Sequence, residues 1–161
     1  MSTLNYLCYI CDRFIMYNFK FNIVMFKTIL SIPGKAGLYK LISKNTELFI
    51  VESLIDKKRI PIYISSKSIY LKDIAIYTTG EEEEVPLHKV FVAIKEKENA
   101  TRTFLDPSAA TVDELRAYLA EVLPAFDRNR VYPNDIKKLL TWYNLLTDAG
   151  INDFTLEEKE A

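Results

Sequence analysis

The sequence predicts an α+β protein: a small, strongly curved antiparallel β-barrel of the SH3-like or Sm-like kind with a covering helix, followed by a C-terminal helical unit. Three observations carry that expectation. Between residues 38 and 64, three short runs rich in Ile, Val, Tyr and Phe are separated by polar turns, the pattern of an antiparallel meander. From Leu87 onward apolar residues recur every three or four positions instead, the period of amphipathic helices. The 161 residues suit one domain of ordinary size or two small ones near the limit of independent folding.

Residues 1–24 mix Tyr, Phe, Asn, Ile and Cys with neither a strand nor a helix period. Asp12, Arg13, Asn18 and Lys20 interrupt any stretch that would serve as a signal peptide or a membrane helix. We read them as a leader that is poorly structured or lies outside the native coding sequence, with translation starting at Met25. Cys8 and Cys11 have the spacing of half a zinc site or a redox pair, but no second pair follows and the one histidine lies 77 residues beyond Cys11. No metal and no cofactor are expected.

Residues 25–98 are assigned to the barrel domain. A short apolar helix over 26–32 ends at Pro33 and Gly34, and strands follow over 38–43, 48–54 and 58–64. Leu48 and Ile50 are expected to share one face with Ile60, Ile62 and Ile64, leaving Phe49 and Val51 on the other. Since neither face is plainly wet, the sheet should curl on itself or be covered. A fourth strand is expected over 73–78, and Pro61 places its strand at an edge or bulge. Glu81, Glu82, Glu83 and Glu84 form a solvated run leading to Pro86 in a first helical turn, after which Leu87, Val90, Phe91 and Ile94 make the stripe of a helix that plugs the barrel.

Residues 99–106 are the expected linker, 107–154 the helical domain and 155–161 a tail. Thr111 and Glu114 have capping-box spacing before Leu115, Leu119, Val122 and Leu123, and Pro124 ends that helix. Asn134 or Asp135 should cap the next, where Ile136, Leu139, Leu140 and Tyr143 form the stripe and Gly150 the stop. Trp142 and Leu145 fall off that stripe, which marks them as a candidate protein interface.

The segments FKTILSIPGKAGLYKLIS, IVESLIDKKRIPIY and LKDIAIYT, with ELRAYLAEVLPAFDRNRVYPNDIKKLLTWYNLL towards the other end, resemble a family of short bacteroidete proteins described only as domains of unknown function. The resemblance runs from about residue 25 to 154 and leaves the leader outside. It implies membership but no activity, and no functional residue can be carried over from it.

Net charge is −1 overall, yet residues 25–79 carry nine basic and four acidic side chains whereas 106–161 carry six basic and eleven acidic. Such opposed fields can steer a polyanion to the first half, or draw two chains together. Gly34-Lys35-Ala36-Gly37 lacks the leading glycine and the Ser or Thr of a phosphate loop, and no helix follows it as in a KH clamp. We read it as a helix-to-strand turn, with an anion contact through Lys35 as the functional alternative. Lys57, Lys58 and Arg59 at a hairpin tip, with Lys67 and the tyrosines Tyr39, Tyr63 and Tyr70 in the same domain, are the candidate anion or nucleic-acid contacts. Lysines on strand edges equally prevent aggregation, and tyrosines fill half-buried sheets. His88 has no recognisable nucleophile partner, and the glutamate run lacks calcium-loop geometry.

The leading expectation is therefore a cytoplasmic, non-enzymatic interaction or adaptor protein, with a protein partner or a homo-oligomer and no membrane. The alternative is RNA or single-strand binding through the basic barrel. Deleting residues 1–24 should leave a cooperative thermal transition, because they offer no periodic face to bury; its loss would make the leader a structural element.

Overall fold

The computed structural model describes residues 26–63 and 68–154. The leader with Cys8, Cys11 and Met25, together with Ile64, Lys67 and the tail 155–161, lies outside the described residues. Five strands, β1 (Ile29–Ser31), β2 (Tyr39–Lys44), β3 (Leu48–Ser53), β4 (Arg59–Tyr63) and β5 (Ile69–Tyr70), form one antiparallel sheet in the order β4-β3-β2-β1-β5. A single 3-10 turn, Leu71–Asp73, leads to a two-stranded sheet of β6 (Ala75–Tyr77) and β7 (Glu84–Pro86). Three helices follow: α1 (Leu87–Lys97), α2 (Val112–Val122) and α3 (Pro133–Asp148).

The meander of β2, β3 and β4 lies where alternation and turn residues place it. The element before it differs from expectation. Of residues 26–32 only Phe26 and Lys27 are helical, and the chain then enters β1, where Ile29 and Leu30 are both fully buried. A strand buried on both faces reads as a continuous apolar run, which periodicity cannot tell from a short helix. The strand expected over 73–78 also forms, as β6, but it pairs with β7 and not with the meander.

Register overturns the expected assignment of faces. Phe49 lies opposite Ile62, and Val51 opposite Ile60, so these four share one face; Leu48 and Ile50 lie on the other, with Tyr63 and Pro61 opposite them. The first face forms a minor core of Leu30, Ile32, Tyr39, Phe49, Val51 and Ile62, with Ile60 of β4 and Tyr70 of β5 packed against it. Both edge strands thus contribute to one cluster. Among the described residues β4 and β5 are nevertheless not paired with each other. The architecture is α+β, with a five-stranded antiparallel sheet that is not closed into a barrel among the described residues, and with three helices.

The major core lies on the opposite side of β1. Ile29 and Leu38 join Leu87, Val90, Phe91 and Ile94 of α1, Leu115 and Leu119 of α2, and Ile136, Leu139, Leu140 and Tyr143 of α3. Hence α1 packs in the core on the Ile29 side of β1 and contributes nothing to the minor core, so it does not plug a barrel as expected. At its centre Phe91 lies 6.2 Å from Phe26, 6.0 Å from Tyr143 and 5.3 Å from Phe154, ring centre to ring centre. These are the separations at which edge and tilted ring contacts are favourable.

Helix ends follow local chemistry. Thr111 and Glu114 form the expected capping box on α2, with Thr111 N–H donating to Glu114 Oε2 at 2.8 Å. That bond, ahead of the hydroxyl contact from Thr111, holds the Glu114 carboxyl below its ordinary pKa. On α3 neither Asn134 nor Asp135 is the cap. Tyr132 takes that position, Pro133 begins the helix, and Asp135 accepts from Tyr132 N–H at 3.3 Å. Pro133, with no N–H to satisfy, moved the helix start forward. Pro86 likewise is the cap residue of α1 and not part of its first turn. Between α1 and α2, the Tyr118 hydroxyl donates to Glu98 at 2.7 Å and Lys97 lies 3.8 Å over the Tyr118 ring. Burial, then the bond to Glu98 and its charge, pushes the Tyr118 hydroxyl pKa far up.

Residues 99–106 lie along α3. Tyr143 donates to the Thr101 carbonyl at 3.1 Å, and the buried Asn144 accepts from Thr103 N–H at 2.9 Å while its amide donates to the Thr103 hydroxyl at 3.0 Å. Asn99 and Ala100, just past α1, are left-handed at φ 53° and 60°. No helix among the described residues is long and apolar enough to cross a membrane. Replacing Phe91 by Ala should cost about 3 to 5 kcal/mol in chemical denaturation, the range for emptying a buried aromatic site. A loss below about 1 kcal/mol, typical of surface positions, would show that the four rings do not act as the keystone of the core.

Candidate functional site

The β1–β2 connection is Ile32-Pro33-Gly34-Lys35-Ala36-Gly37-Leu38. Gly34 and Gly37 are left-handed at φ 81° and 86°, a conformation glycine adopts without a β-carbon penalty. This is a strand-to-strand turn, correcting the helix-to-strand reading, because β1 precedes it. Lys35 N–H donates to the Ile32 carbonyl at 3.1 Å, which tightens the loop and leaves the lysine side chain exposed. Ile32 and Leu38 at the two ends are buried in the minor and major cores respectively. The loop is therefore held at both ends.

Facing this loop is α3. Lys35 lines a cavity of about 460 Å³ together with Lys137, Lys138, Thr141 and Trp142. Trp142 and Lys138 also border an adjoining cavity of about 250 Å³, with Tyr77, Arg130 and Asp135. Lys137, Lys138, Thr141 and Trp142 have i, i+1, i+4 and i+5 spacing, so they lie on one face of α3, away from its buried stripe. Sequence reasoning missed both lysines. The legible signal was Trp142 itself, off the stripe and half-buried.

The other candidates are dispersed. Lys57, Lys58 and Arg59 are exposed at the β3–β4 turn, as expected, and do not line the cavity that holds Lys35. Arg59 is paired with Glu52 at 3.1 Å. Lys67 lies outside the described residues. Of the tyrosines, Tyr39 is buried with its hydroxyl near the Ala36 carbonyl at 3.4 Å, Tyr70 lies 5.3 Å beneath Lys72, and Tyr63 is 68% exposed. His88 is half-buried in the first turn of α1. Glu81 to Glu84 are exposed, and Glu83 pairs with Arg130 at 3.3 Å. Among the described residues no three His, Cys, Asp or Glu side chains gather closely enough to hold a metal. Leu145 packs, like Trp142, against the major core, and its side chain comes near Gly37.

A second surface emerges from the register. The outer face of β3 and β4 carries Leu48, Ile50, Pro61 and Tyr63, of which Ile50 and Tyr63 are exposed. Ile42, at the β2 bulge, is exposed as well.

Two family models cover this architecture. Residues 26–71, the five-stranded sheet, match a family described as domain of unknown function (DUF5606), and residues 74–146, from β6 to α3, match one described as domain of unknown function (DUF6852). The seam between the two falls just after the 3-10 turn's first residue. A solution NMR structure of a Bacteroides vulgatus protein, a structural-genomics target, is similar at 53% identity with a TM-score of 0.66, over 81% of this chain and 91% of that one. The chain belongs to that bacteroidete family of paired domains of unknown function. Comparison with curated proteins found no match.

Gly37 is the residue that closes the loop onto its neighbours. A β-carbon there would stand 2.8 Å from the Ile55 side chain, on a left-handed backbone. Gly37→Ala should lower stability by about 1 to 2 kcal/mol, read by denaturant midpoint, whereas a neutral or stabilising effect would show that the loop relaxes freely.

Proposed function

We propose that this protein is a non-enzymatic interaction module, with the five-stranded sheet as a small SH3-like scaffold that docks a protein partner on the outer face of β3 and β4. The observation that carries the reading is the apolar patch of Ile50, Tyr63, Leu48 and Pro61, with Ile42 beside it, left outside both cores. Exposed tyrosine beside aliphatic side chains is the composition of an interface centre. Lys40 and Arg59 lie on either side of Glu52, which pairs with Arg59, and Lys57 and Lys58 are exposed in the turn that follows; the partner we propose is a protein surface with an apolar centre and an acidic rim.

Docking would use the face of the sheet and not its edge. Ser53 N–H donates to the Lys58 carbonyl at 2.9 Å, and counting along the register puts Pro61 opposite Ile50 at a position not bonded to β3. The Pro61 nitrogen thus points outward, where an added strand would need a donor. The compartment this reading implies is the cytoplasm, since two cysteines in 161 residues make no disulfide framework.

The test is affinity capture from source-cell lysate with nuclease added, comparing the unaltered protein with an Ile50→Lys, Tyr63→Ser variant of unchanged melting behaviour. A captured protein that the variant loses by about tenfold or more, and that high salt weakens, is the expected result. Capture that is equal for both proteins would sink the docking face. Capture that disappears with nuclease would favour the nucleic-acid alternative through Lys57 and Lys58.

A further inference from the structure

We propose that the cavity between the Pro33–Gly37 loop and α3 is a nucleotide-binding site, in which Lys35, Lys137 and Lys138 hold the phosphate and Trp142 stacks on the base. This is independent of the docking face, which uses β3 and β4. The charge of the lining is the first observation. Among the described residues three lysines border the cavity and no carboxylate does, in a chain whose net charge is −1 and whose residues 106–161 carry only six basic side chains against eleven acidic. Two of those six stand side by side here. Gathering like charges opposes folding, and an anion of more than one charge relieves the repulsion.

The second observation is the aromatic wall. Trp142 is half-buried and lines both adjoining cavities, each of which Lys138 lines as well. A bare phosphate would make no use of the indole. A planar base beside its phosphate would, because bases stack on aromatic side chains.

Size and rigidity complete the case. The cavity of about 460 Å³ falls within the roughly 300 to 1,000 Å³ of small-molecule pockets. Its two sides are fixed: the loop by Ile32 and Leu38 in the two cores, and α3 by its buried stripe. The nearest carboxylate on α3, Asp135, borders the smaller cavity and already accepts from Tyr132 N–H. It stands beside Lys138 there but does not line the larger cavity. Arg130, at the far end of the smaller cavity, is paired with Glu83 and Asp127.

Trp142 is the one tryptophan of the chain, so its fluorescence reports this site alone. Titration of the full chain with AMP should quench it saturably, with adenosine and inorganic phosphate each binding at least about tenfold more weakly, since a charge-assisted contact is worth about that factor or more. Lys137→Gln with Lys138→Gln should weaken AMP by about tenfold or more at an unchanged melting midpoint. Lys35→Gln, on an exposed loop side chain, gives the same reading should the double variant fold poorly. Lys57→Gln with Lys58→Gln should change nothing. The proposal is overturned if AMP does not saturate, if inorganic phosphate binds as well as AMP, or if the lysine variants bind AMP unchanged. It is also overturned if a single-stranded oligonucleotide binds while AMP does not, which would make the surface a nucleic-acid contact.

Discussion

Four aromatic rings, Phe26, Phe91, Tyr143 and Phe154, hold this protein together at one point. They come from the segment entering the sheet, from α1, from α3 and from the chain after α3, and neighbouring centroids lie 5.3 to 6.2 Å apart. A cluster of large rings tolerates few arrangements, because each must present an edge or a tilted face to the next. Fixing Tyr143 fixes the rotation of α3 about its axis. That rotation turns Asn144 towards Thr103 and leaves Lys137, Lys138 and Trp142 facing the β1–β2 loop. The candidate site is thus a by-product of how the core is packed.

Much of the fold was legible residue by residue, and the failures have physical causes. The alternation of β2 to β4, the stripe of α1 and the capping box of Thr111 and Glu114 are local patterns, and local patterns survive into the structure. Which strand faces match is not local. Phe49 pairs with Ile62 because the β3–β4 turn sets the register, and a slip of one residue in that turn exchanges every face. β1 was invisible as a strand because a doubly buried run lacks alternation. The site was only half legible: Lys35 and Trp142 each attracted notice, but a hundred residues separate them in sequence, and only the packing of α3 against the sheet makes them neighbours.

The two faces of β1 explain why so short a β segment supports two cores. Ile29 and Leu30 are consecutive, and they face the major and minor clusters respectively. A flat five-stranded sheet covered by helices on one side would leave the Leu30 side wet. The side chains of Leu30, Phe49, Val51 and Ile62 are buried together on that side, while Ile50 and Tyr63 on the other side of β3 and β4 are exposed. The apolar character of Ile50 and Tyr63 there is not required by either core.

Asn99 and Ala100 carry a further consequence. Each holds a β-carbon in the left-handed region, which costs about 1 to 2 kcal/mol at Ala100 and less at Asn99. The arrangement persists because Thr101 N–H reaches the Glu98 carbonyl and Tyr143 holds the Thr101 carbonyl from the other side. Strain concentrated at one joint lowers the free energy of opening there relative to the rest of the molecule. The exit of α1 is accordingly a place where the backbone itself carries strain, in the segment that braces α3.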